Sequence, residues 1–175
     1  MTHHHTHEDP GATHARLTAA ALAELANACA AADAFLVDGT ILDPENPPAT
    51  IVLADTENGR RATIDAGAPD EWQFTDIAAL RVYVRTCLVA SMSVRREGWT
   101  APNPADSRIR PDTARLLLRT SNPLVDIVAG IGRDGSLDAP SLRYGNDDSG
   151  MRRFDHNAHE LDERGIRYLA SLFRT

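Results

Sequence analysis

The chain has 175 residues, 42% apolar and 25% charged, which suits one globular domain with a core of its own. All 18 basic residues are arginine, so Schiff-base, phosphate-loop and kinase-type lysine chemistries are excluded. The net charge of −7 opposes polyanion binding, yet it is unevenly spread: residues 1–80 hold 13 acidic against 3 basic side chains, residues 81–175 hold 12 against 15.

Residues 1–16 read as a mobile, polar, His-rich arm ahead of a single domain over 17–175. With Met1 retained His3 is the third residue, and with Met1 removed His4 is. Either imidazole, the terminal amine and two amides can hold Cu²⁺ or Ni²⁺ in a square plane. That chelation is expected to be adventitious, and no cofactor is called for. No apolar segment follows this polar start, and no stretch approaches the ~20 apolar residues of a membrane span. A soluble, cytoplasmic protein without membrane contact is the expectation.

The first helix is expected from Thr18 to residue 33, with Thr18 as cap and Leu17 and Leu22 as a hydrophobic staple. Leu22, Leu25, Cys29, Ala32 and Leu36 form its apolar face, and the other alanines supply helix propensity instead of packing. Residues 34–42 read as a short strand, followed by the proline-rich loop 43–48. Next, 49–55 and 60–66 make a hairpin whose turn, Thr56-Glu57-Asn58-Gly59, uses residues that tolerate positive φ. Thr75 opens a second helix to about Arg96 along Ile77, Leu80, Val84, Leu88 and Met92. The same stretch alternates as a strand does from Val82 to Val94; its length and cap favour the helix.

Residues 97–111 form a loop containing Trp99 and three prolines, and a short helix over 112–119 follows. Leu124–Ile131 and 136–144 read as paired strands, and 157–173 as a terminal helix with Leu161, Gly165, Tyr168, Leu169 and Leu172 toward the core. The fold class is therefore α+β: a mainly antiparallel sheet built from two hairpins and packed by about three helices. Cys29 and Cys87 are expected to be buried, reduced thiols.

Few residues carry chemistry. Gly130-Ile131-Gly132-Arg133-Asp134-Gly135 matches the dinucleotide fingerprint, but Pro140 forbids the helix that must follow it, so a hairpin turn is expected. His156 and His159 stand three apart at a helix start beside Asp155 and Glu160, a metal-ligand pattern that would make the chain a metal-dependent enzyme, although zinc is not expected from this spacing. Eight arginines crowd into 81–119. They support two readings: nucleic-acid binding, disfavoured by the net charge, or a contact surface of Arg95, Arg96, Trp99 and Arg108. The favoured function is a non-catalytic interaction module, a regulator or inhibitor of another protein or a small subunit of an assembly, whose partner is another protein or a second copy.

Overall fold

The computed structural model describes residues 10–65, 71–95, 113–146, 150–153 and 160–173. A long helix α1 (Pro10–Asp38) leads into the meander β1 (Ile51–Thr56), β2 (Gly59–Asp65) and β3 (Glu71–Phe74). Helix α2 (Ile77–Tyr83) continues into one π-helical turn (Val84–Leu88). A second meander follows: β4 (Ser91–Arg95), β5 (Thr113–Arg119), β6 (Leu124–Ile131), β7 (Leu137–Asn146) and β8 (Gly150–Arg153). Helix α3 (Glu160–Ser171) closes the order. The strands form two antiparallel sheets, β1-β2-β3 and β4-β5-β6-β7-β8. The α+β class with antiparallel pairing and three helices is as expected, and each expected hairpin lies in a sheet of its own.

Helix α1 differs most from expectation. Its described part reaches back to Pro10, so residues 10–16 are helical. Thr18 does not cap it: its hydroxyl donates to the His14 carbonyl at 2.9 Å, one turn back inside the helix. Nor does the chain turn into a strand at residue 34. The helix runs to Asp38 and stops where Gly39 takes φ +86°, its amide donating to Phe35 O at 2.9 Å.

The alanines pack. Every residue from Ala26 to Asp33 is buried, which a helix achieves only when neighbours enclose it on all sides. Those neighbours are α2, α3 and both sheets. Leu22, Leu25 and Leu36 are only partly buried around this alanine centre. By length and composition alone α1 could cross a membrane, contrary to the sequence reading. Its polar groups are nonetheless matched inside the protein: Ala49 N donates to Glu24 Oε1 at 2.9 Å, and Gly165 N donates to Asn27 Oδ1 at 2.7 Å.

In the first meander, Thr56 pairs with Gly59 around the expected turn, and Gly59 alone takes positive φ there, +112°. Strand β3 was not anticipated; it pairs with β2 from Asp65↔Glu71 to Ala62↔Phe74. The 75–96 segment divides. Asp76, not Thr75, caps α2 by accepting from Ala78 N at 3.1 Å. The π turn ends with Val89 N bonded to Val84 O at 3.0 Å, and the alternating remainder becomes β4. Both periodicities in that segment are real and follow one another. The expected helix at 112–119 is strand β5, which buries Ala114, Leu116 and Leu118 in strict alternation.

The fingerprint glycines close the β6–β7 hairpin as expected: Gly132 N donates to Ser136 O at 2.8 Å and Gly135 takes φ +81°. Strand β7 bulges where Ala139, at φ +46°, and Pro140 oppose a single residue of β6. One continuous core joins α1, α2, α3 and both sheets through Cys29, Ile64, Leu80, Leu116, Ile127 and Leu169.

Candidate functional site

The two sides of the five-stranded sheet are different. Helices α1 and α3 pack on β6 and β7, and the side they cover carries Ala114, Leu116, Val125, Ile127 and Leu142. Alternation places Arg115, Asp126, Val128, Ser141 and Arg143 on the opposite side. Asp126 sits there with its side chain fully buried, because two arginines enclose it. Arg115 Nε donates to Asp126 Oδ2, Arg143 Nε to Oδ1 at 3.0 Å, and Arg143 Nη2 to Oδ2 at 3.2 Å. The register explains the meeting: Asp126 stands directly opposite Arg143, and Arg115 opposite its neighbour-but-one, Val128.

One carboxylate cannot neutralise two guanidinium groups, so the triad keeps a net positive charge. Two more arginines lie near it in the ladder. Arg153 on β8 pairs with Arg143, and Arg95 on β4 pairs with Thr113, two residues along β5 from Arg115. The sequence pattern singles out Arg95 but does not bring Arg115 and Arg143 together as a pair. The missing signal was the strand character of 113–119: a helix there scatters Arg115 and Leu117, whereas a strand places Arg115 in register with β6.

A second polar cluster joins the three helices. Asp33 of α1 accepts from Arg81 Nε at 2.8 Å, from Arg81 Nη2 at 3.1 Å and from the Tyr168 hydroxyl at 2.9 Å. Burial, followed by the Asp33 charge, pushes the Tyr168 phenol well above its ordinary range. Burial likewise pushes the Cys29 thiol up to about 12, again with a smaller push from Asp33. The Tyr83 phenol rises to about 12 by burial, with lesser contributions from Cys29 and Cys87. All three groups hold their protons at neutral pH. Asp33, Arg81 and Tyr168 together clamp the three helices.

Cys29 is buried as expected, while Cys87, on the π turn, is exposed; both are free thiols. Arg96, Trp99, Arg108, His3, His4, His156 and His159 lie outside the described residues, as does the side chain of Arg95. Among the described residues no group of three or more His, Cys, Asp and Glu is placed to hold a metal. A shallow cavity of about 190 Å³ between the start of β7 and the end of α3 is lined by Leu137, Pro140, Phe173, Ser136, Ser171 and Arg167. No family model matches the chain, and no curated protein or solved structure matches it either.

Proposed function

We propose that this chain is a non-catalytic interaction module whose contact surface is the side of the five-stranded sheet opposite α1 and α3, and that its partner is an acidic segment of another protein. The observation that supports this reading is the Arg115–Asp126–Arg143 triad. Arginine presents five N–H donors in a planar fork. Asp126 engages the inner donors of both forks and fixes their orientation, so a further carboxylate can be met without loss of side-chain freedom. Arg95 belongs to β4, at the edge of the same sheet, and adjoins in sequence the segment that holds Arg96, Trp99 and Arg108.

The test uses a labelled polyglutamate peptide and, separately, a labelled DNA duplex. The variant Arg115→Gln, Asp126→Asn, Arg143→Gln removes all three charges together and leaves no charge buried alone. Binding of the peptide, weakened by salt and lost in this variant, is the expected result. Peptide affinity unchanged in a folded variant overturns the surface, and tighter binding to the duplex with a steep salt dependence replaces the partner with a nucleic acid.

A further inference from the structure

Four strands bound the two sheets: β1 and β3 in one, β4 and β8 in the other. Edge strands ordinarily carry a device against pairing with another chain, such as shortness, charge, proline or a bulge. Strands β3 and β8 have four residues each and contain Glu71, and Arg152 with Arg153. Strand β4 has five, among them two serines and Arg95. Strand β1 is the longest and most apolar of these four edges among the described residues, and its single charge, Asp55, stands near its end. It runs six residues, opens Ile51-Val52-Leu53-Ala54, and pairs with β2 at each position from Ile51 to Thr56 without a bulge.

The ladder also fixes which backbone groups reach the free edge. Asp65 N donates to Thr50 O at 2.8 Å, so Thr50, Val52, Ala54 and Thr56 face β2. Ile51, Leu53 and Asp55 therefore turn their backbone groups outward. The Ile51 N–H folds back onto Pro48 O at 3.3 Å, whereas the amides of Leu53 and Asp55 have no backbone partner among the described residues.

We propose that β1 pairs antiparallel with β1 of a second copy of this chain, across a two-fold axis at Leu53, so that two three-stranded sheets become one of six. A two-fold axis normal to the sheet keeps both core-facing sides together, which restricts opposing residues to the same side of the strand. Centring on Leu53 sets Leu53 against Leu53, Val52 against Ala54, and Asp55 against Ile51. Each outward amide then meets an outward carbonyl: Leu53 N–H the Leu53 carbonyl of the second copy, Asp55 N–H that of Ile51. Leu53 opposes itself and Val52 opposes Ala54, while Asp55 faces Ile51, so no like charges meet. Centring on Asp55 would set two carboxylates opposite each other. Pro47-Pro48 ends the pairing on the other side. It is this self-complementarity that selects a second copy over an unrelated extended segment. The pairing is independent of the arginine surface on the other sheet.

Sedimentation equilibrium of the full chain at ~100 μM suits an interface of this small class. The expected mass is twice the 19.0 kDa of one chain. Amide exchange of the same protein should show Leu53 and Asp55 protected at that concentration and unprotected after a hundredfold dilution. Val52→Glu with Ala54→Glu places like charges opposite each other only in the dimer, since residue 54 faces Arg61 within one chain; dissociation at least tenfold easier is expected. A single-chain mass for the unaltered protein overturns the proposal. So does a dimer whose Leu53 and Asp55 amides exchange equally fast at both concentrations, and that comparison decides the matter even if the double variant does not fold. The charge-free sheet variant used against polyglutamate should keep the doubled mass, which separates the two proposals.

Discussion

Gly165 sets how closely α1 and α3 approach. A Cβ on it would lie 2.4 Å from Asn27 Oδ1, 2.5 Å from Asn27 N and 2.7 Å from the carbonyl carbon of Ala26, two of them backbone atoms of the neighbouring helix. The same approach lets Gly165 N donate to the buried Asn27 side chain. Gly165→Ala is therefore expected to cost ~3 kcal/mol, because neither backbone can yield without disturbing the core. Urea unfolding measures it, and a loss within experimental error of zero would show that the helices can separate freely. Asp126 makes the complementary case, with polarity in place of size. Asp126→Ala leaves two half-buried guanidinium groups facing each other and should cost ~3–5 kcal/mol in the same assay. The charge-free triple variant should lose much less. If the single substitution proves the milder of the two, the arginines do not depend on Asp126 for their placement.

At the scale of elements, α1 shows what the sequence disclosed and what it concealed. Alanine propensity predicts its existence, and Gly39, which the sequence pattern also accommodates in a strand, marks its end. Its role did not follow, because periodicity assumes one apolar face, and a helix enclosed by two sheets and two helices has none to distinguish. Leucines therefore drew attention to positions that are only partly buried, while Ala23, Ala26, Ala28 and Ala32 occupy the centre. The 75–96 segment failed for a related reason: a window that contains a helix and a strand in succession shows both periods, and a choice of one must lose the other. The hairpins at 51–65 and 124–146 were legible because turn chemistry is local. The Arg115–Asp126–Arg143 triad was not, since strands β5, β6 and β7 must be in register before those residues meet. Two substitutions test this account of α1. Thr18→Ala should be neutral or stabilise by ~0.5 kcal/mol, since Thr18 lies inside the helix and bonds backward. A loss near the ~1 kcal/mol of a true N-cap would move the helix start back to Thr18. Ala28→Leu should cost ~1–3 kcal/mol by overpacking, and a stabilised variant would mean that the alanine centre is loosely filled.

For the molecule as a whole, one core ties both sheets and the other two helices to α1, and three groups enclosed along it make stability fall at alkaline pH. Cys29, Tyr83 and Tyr168 each hold their proton more tightly folded than unfolded, chiefly because burial disfavours the charged form. The sign follows from that ordering. Below the unfolded values, 9.0 for the thiol and 10.0 for the phenols, both states are protonated and the three groups leave stability unchanged with pH. Above them the unfolded chain releases protons that the folded chain retains, so stability falls as pH rises, by up to about 1.4 kcal/mol per pH unit for Cys29 and by less for the tyrosines, which solvent screens more. Cys29 begins the loss near pH 9 and continues it to about 12, and the tyrosines join from about 10. Urea midpoints taken from pH 7 to 11 should be level at first and then fall in two stages. Cys29→Ala should abolish the first stage and keep the second, at a cost of ~1 kcal/mol at neutral pH for the lost sulfur contacts. A variant whose midpoint still begins to fall near pH 9 would remove the thiol from this account. The alkaline weakness would then rest on the helix clamp alone, where Tyr168 must leave Asp33 before it can ionise in water.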